Sequence, residues 1–123
     1  MANAATVVRT RRGRGQFGGF FSEFFQLQAT ILQDVAIAIT DTFEYDMTVT
    51  GVALGDMCIG WSLAIDLNDG TDSAIGMCTV SSANTVRFSL LADKGEFAAG
   101  AITSGTVFKA LIGRPSPFWA ESN

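Results

Sequence analysis

The sequence predicts an all-β protein, a small antiparallel sandwich or jelly-roll-like barrel of about six strands. Its clearest support is a pair of alternating runs. Phe43, Tyr45, Met47 and Val49 alternate with Glu44, Asp46, Thr48 and Thr50. Met57, Ile59, Trp61, Leu63 and Ile65 then alternate with Cys58, Gly60, Ser62, Ala64 and Asp66. Apolar residues at every second position put one face of a strand against a core. The connection between the runs, residues 51–56, is bounded by Gly51 and Gly55, and the pair reads as consecutive antiparallel strands. Short polar clusters at residues 67–72, 82–84 and 93–95 punctuate the rest of the chain at strand-length intervals.

Taken in order, the chain divides into three parts: a basic, Phe-rich amino-terminal arm (1–28), a β domain (29–113) and an extended carboxy-terminal tail (114–123). Residues 1–16 are mostly Ala, Thr, Arg and Gly without periodicity, and residues 10–15 are too polar and flexible to fold alone. Next come Phe17, Phe20, Phe21, Phe24 and Phe25, half of the ten Phe in the chain. Their spacing makes one stripe on a helix of 3.6 residues per turn, beginning near Phe20 because Gly18 and Gly19 weaken the first turn. Such a stripe needs an apolar surface: the chain's own sandwich, another subunit or a larger assembly.

From Ala29 the pattern turns to β. A strand is expected around residues 30–40, then the two alternating runs. Residues 67–72 form a turn whose acids lack the spacing and distal Glu of a calcium loop. Residues 74–81 form a strand and 82–84 a tight connection. Thr85, Val86, Phe88 and Leu90 follow as a strand with Arg87 and Ser89 on its other face. Residues 97–105, rich in Ala and Gly, read as a long loop packed through Phe97 and Ile102, and residues 106–112 as the last strand. Pro115 and Pro117 lack the ladder donor, so the end of the chain reads as a tail anchored by Phe118 and Trp119.

Composition narrows the function. At 123 residues the chain is one domain able to bury a core without staples. Charged residues are 16% of it, a low share that points to self-association or docking. The net charge of −4 is asymmetric: Arg9, Arg11, Arg12 and Arg14 stand against Glu23 alone in residues 1–28, whereas residues 29–123 hold four basic and eleven acidic residues. The body therefore repels nucleic acid, and a polyanion could touch only the arm.

The chain has no His, so catalysis would fall to carboxylates, Lys or Cys, and its acids sit mostly at turns or on outward strand faces; the reading is not an enzyme and no cofactor. Cys58 and Cys78 read as buried reduced thiols, with a cross-strand disulfide as the alternative. Glu23, Gln26, Gln28, Gln33 and Asp34 interrupt the apolar stretch from Phe17 to Thr40, which excludes a membrane span, and no secretion signal is expected.

Three segments recur in a telling order: Thr48-Val49-Thr50-Gly51-Val52-Ala53-Leu54-Gly55-Asp56, then Val80-Ser81-Ser82-Ala83-Asn84-Thr85-Val86-Arg87-Phe88, then Ser104-Gly105-Thr106-Val107-Phe108. This series, over roughly residues 40–112, resembles small β-structured virion proteins of tailed bacteriophages, including capsid decoration (cement) and head-fibre proteins. The resemblance implies a non-catalytic structural protein, made in the host bacterial cytoplasm and carried on the capsid surface. Its implied partners are the major capsid protein of the same virion and further copies of itself, a trimer above all. Docking would then fall to Arg9, Arg11, Arg12 and Arg14, to Phe17, Phe20, Phe21, Phe24 and Phe25, and to Phe118 and Trp119. A tail, neck or fibre-base component is the alternative within the virion. A receptor- or carbohydrate-binding module on the same fold is the alternative outside it.

Overall fold

The computed structural model describes residues 3–11, 20–32, 35–38, 40–68, 72–95 and 97–116. Strands dominate the described residues, with no helix among them. The strands are β1 (Asn3–Ala4), β2 (Thr6–Arg11), β3 (Phe21–Thr30), β4 (Val35–Ile37), β5 (Thr42–Thr48), β6 (Met57–Leu63), β7 (Ser73–Ser82), β8 (Thr85–Lys94), β9 (Phe97–Ile102) and β10 (Val107–Pro115). They form a first four-stranded sheet in the order β1-β5-β8-β7, a second in the order β2-β3-β10-β6, and a two-stranded sheet of β4 and β9. Every pairing is antiparallel except β1 on β5.

The two larger sheets pack face to face. Tyr45, Met47, Val86, Phe88, Leu90, Cys78 and Val80 from the first meet Phe25, Leu27, Ala29, Phe108, Ala110, Ile112 and Leu63 from the second. Aromatic rings fill the middle. Phe88 and Phe108 lie 4.5 Å apart by centroid, and Trp61 lies 4.9 Å from Phe88. Tyr45 reaches across the layers, its hydroxyl donating to the Thr30 carbonyl at 2.9 Å. Burial raises the Tyr45 pKa, since the low-dielectric interior disfavours the phenolate.

Several expectations are corrected. From Phe21 the Phe-rich segment is not helical: Phe21–Thr30 is a strand held between β2 and β10. From Phe25 to Thr30 the residues alternate strictly, buried then exposed, and residues 23–28 are paired on both sides. Residues 6–11 and 21–28 thus belong to the second sheet, and the arm boundary at residue 28 falls inside β3.

The two alternating runs are not a hairpin. β5 lies in one sheet and β6 in the other, so residues 49–56 carry the chain between layers. Val49 and Val52 of this crossing are buried, and Asn84, in the two-residue turn between β7 and β8, clamps it. The Asn84 carbonyl accepts from Val49 N–H at 2.9 Å, its side chain accepts from Gly51 N–H at 2.8 Å, and its own N–H donates to Val52 at 2.9 Å. Asn84 adopts φ 62°, a left-handed conformation Asn tolerates.

Further on, β4 is the strand among the described residues at 31–40, and the expected loop at 97–105 contains its partner, β9. Arg114 and Pro115 end β10 rather than open a tail. Pro115 sits beyond a register shift, at a strand end where no ladder donor is required. The strands at 74–81, 85–90 and 106–112 stand, each longer than expected.

Candidate functional site

The outer face of the second sheet is the site with the most distinctive chemistry. Register places its side chains in rows: Thr6, Gln28, Lys109 and Ser62 in one, and Val8, Gln26, Leu111 and Gly60 in the next. Together they line a shallow trough of about 460 Å³. Gly60 leaves open space in its floor, with no atom within 4 Å of where a Cβ would stand.

Beyond one end of the trough, where Gly113 pairs with Phe24, the same face is apolar. The Phe21 and Phe24 rings lie 5.2 Å apart. At Gly113 a side chain would meet Phe21 at 2.6 Å and Ile59 at 2.8 Å, so these residues close over the glycine. Val8 is 55% exposed, Phe20 52% and Ile59 46%. The rows hold a single charge, that of Lys109. The opposite outer face differs: Arg87 bonds Asp46 at 2.7 Å and lies 3.3 Å from Glu44. Ile75, Met77 and Leu91 stand beside this group, exposed.

The sequence-predicted docking residues are scattered by this fold. Arg9 points inward on the Phe25 ring and pairs with Glu23 through two hydrogen bonds, one of them 3.0 Å from Nη2 to Oε1. Arg114 also stands over Phe25, donates to Asp56 at 2.9 and 3.0 Å and to the Gly51 carbonyl at 2.7 Å, and lies 3.6 Å from Glu23. Asp56 additionally accepts from Ala53 N–H at 2.9 Å. Arg9, Glu23, Arg114 and Asp56 thus form a charge-balanced plug under the crossing at residues 51–56. A side chain at Gly51, whose φ is 104°, would press on Arg9 Nη1 at 2.9 Å and on Phe25. Arg9 is therefore held in place by Glu23 while its side chain stays 39% exposed.

Phe25 is fully buried in the core, while Phe21 and Phe24 are half-buried and Phe20 is exposed on or beside the outer face. The Arg11 backbone pairs in β2, opposite Glu23. Arg12, Arg14, Phe17, Phe118 and Trp119 lie outside the described residues. Sequence reading missed Thr6, Val8, Gln26, Gln28, Ser62, Lys109 and Leu111. The signal was present in Phe25-Gln26-Leu27-Gln28-Ala29-Thr30, whose strict alternation marks Gln26 and Gln28 as one outward row.

Among the described residues, no group of three or more His, Cys, Asp or Glu is arranged to hold a metal ion, and no helix is long and apolar enough to cross a membrane. Comparisons with protein-family models, with curated proteins and with solved structures return no match for this chain.

Proposed function

We propose that this chain is a non-catalytic structural protein of a bacteriophage particle, a capsid decoration (cement) protein docking on the shell of the major capsid protein. The observation that carries the reading is the outer face of the second sheet. It combines aromatic and aliphatic groups with amides and hydroxyls and holds almost no charge, the composition of the centre of a protein interface. Its apolar end, around Phe20, Phe21, Phe24 and Ile59, supplies contact area, and Gln26, Gln28 and Ser62 supply register. The order of the Gly-x-x-x-Gly-Asp, Val-Ser-Ser-Ala and Gly-Thr segments supports the virion context. Binding to the assembled lattice and not to free subunits would stabilise the shell by mass action. A closed oligomer, a trimer on an icosahedral lattice, would present several faces at once and multiply a modest affinity.

Quantitative mass spectrometry of purified virions tests the reading. A copy number comparable with that of the major shell protein is expected. A handful of copies per particle would instead favour a tail, neck or fibre-base component, and absence from virions would overturn the virion reading. On purified shells, the double variant Val8→Lys with Gln26→Glu should bind at least about tenfold more weakly while keeping its unfolding midpoint, because both side chains face solvent and the two new charges, opposite in sign, stand across from each other. Thr79→Glu, on the opposite face, should bind like the wild type.

The trough favours one second reading. Amides and hydroxyls above an open floor suit the hydroxyl-rich surface of a saccharide, which would make the chain a receptor- or carbohydrate-binding module. Glycan-array binding lost in Gln28→Ala, with no shell binding by the wild type, would select it.

A further inference from the structure

We propose that Cys58 and Cys78 form a reversible intramolecular disulfide that latches β6 to β7. These strands end different sheets, β6 the second and β7 the first, and they meet along one side of the sandwich. Two rungs join them. In one, the Trp61 ring lies so close over Gly76 that any side chain there would overlap it. In the other, Cys58 and Cys78 both turn to the core from these two meeting edges, and each is the largest influence on the other's acidity.

A bulge creates the second rung. Leu111 pairs with Gly60 and Ile112 with Cys58, so Ile59 is skipped in the ladder. Strict alternation from Leu63 and Trp61 would turn Ile59 inward and Cys58 outward. The extra residue reverses this: Ile59 is exposed and Cys58 packs against the core. Bulges commonly re-aim a side chain in this way. The sequence reading, which placed Ile59 inside, is corrected here.

The two thiols are unequal. Cys58 is half-buried and reachable from solvent, whereas Cys78 is buried. The hydrogen bond from Cys78 lowers the Cys58 pKa, against the opposing effect of burial. The same contact, with burial, holds the Cys78 thiol well above its ordinary value. Cys58 is thus the attacking sulfur and Cys78 the resolving one.

With oxidised glutathione as oxidant, the Cys58 thiolate attacks one glutathione sulfur and expels the other as a thiolate. Cys78 then gives up its proton and attacks the Cys58 sulfur, expelling the second glutathione. Two protein thiols and one glutathione disulfide become one protein disulfide and two glutathione thiols. The protein loses two electrons and the oxidant gains them. A reducing cytoplasm would leave the latch open and an oxidising medium would close it. That timing rests on the virion reading; the bond does not.

The test uses the full-length folded protein with oxidised glutathione at neutral pH, read by thiol titration, intact mass and non-reducing peptide mapping. Expected are loss of both thiols, no retained glutathione, a Cys58–Cys78 linked peptide and an unchanged oligomeric state. Closing a loop of about 20 residues should raise the thermal midpoint by on the order of 10 °C, reversed by dithiothreitol. Cys78→Ala should stop at a glutathione adduct on Cys58, and Cys58→Ala should leave Cys78 unmodified while folded. A glutathione adduct persisting on the wild type, disulfide-linked dimers, thiols that react only on unfolding, or a bond that lowers the midpoint would each overturn the proposal.

Discussion

The two large sheets are built from the chain in different ways. Apart from the two-residue β1, the first sheet draws its strands from one stretch, Thr42 to Lys94, and β7 and β8 form a hairpin through a two-residue turn. The second gathers β2 and β3 from the amino-terminal quarter, β6 from the middle and β10 from the carboxy-terminal end. In the first, local pattern and tertiary role coincide: Val86, Phe88, Leu90 and Ala92 point inward and Arg87 and Ser89 do not. In the second, pairing between distant segments decides which face a residue occupies. A terminal segment can therefore look like an appendage in sequence and still be half of a sheet.

The sharpest way to break this contrast is to remove the terminal contribution. A chain beginning at Ala29 lacks β1, β2 and most of β3, leaving β10 with a partner on one side only. Fully buried Phe25 and nearly buried Leu27 go with them, uncovering Ile112 and Ala110, their partners across the ladder. Each large side chain so lost removes about 1.5–3 kcal/mol of burial, so two of them take much of the stability of an ordinary domain. The truncated chain should show no cooperative unfolding by circular dichroism. A folded, cooperative truncation would restore the independent arm.

Where the sheets meet, at β6 and β7, a smaller but still large effect is expected. Gly76→Ala sets a methyl group into the Trp61 ring, which is itself packed on Phe88 and Phe108 and cannot turn away freely. Overpacking of this kind costs about 1–3 kcal/mol, read as a lower denaturant midpoint with an unchanged slope. Trp61→Leu should relieve part of the penalty. If Gly76→Ala is neutral, the edges are looser than the packing indicates.

The same division explains what could be read in advance. Hairpin β7–β8 was legible because its turn, its alternation and its pairing are all local. The crossing at residues 49–56 was not, because Gly-bounded turns serve hairpins and layer crossings alike. Only the burial of Val52 and the Asn84 clamp distinguish them. The Phe segment misled because Phe17, Phe20, Phe21, Phe24 and Phe25 fit a helical stripe, while the strand's irregular end, a register shift opposite Pro115, breaks period-two spacing at that point. Cys58 and Ile59 exchanged faces through a bulge that no residue type announces. Of the candidate site, the Gln26 and Gln28 row was legible, but its neighbours Thr6, Lys109 and Ser62 required the register of three other strands.

Ion pairs offer the finest comparison, one at the end of the core and one on an outer face. Arg114→Gln removes the partner of Asp56, whose side chain is 4% exposed, and frees the Gly51 carbonyl. An unpaired buried carboxylate costs about 3–5 kcal/mol, but Arg114 is itself 27% exposed and Ala53 N–H still bonds Asp56; a loss of about 2 kcal/mol is expected. Arg87→Gln, on the open face of the first sheet, should lower stability measurably less, since water and salt screen that pair. Its signature is in pH. The hydrogen bond from Arg87 lowers the Asp46 pKa below its ordinary 3.8. Because the folded value is the lower one, the pair contributes fully above the unfolded pKa and fades as pH falls through the folded value. Wild type and Arg87→Gln should therefore differ in unfolding midpoint at pH 7 and converge below about pH 4, the difference shrinking with added salt. Midpoints that stay apart in acid would mean that Arg87 acts through packing of its stem rather than through its charge.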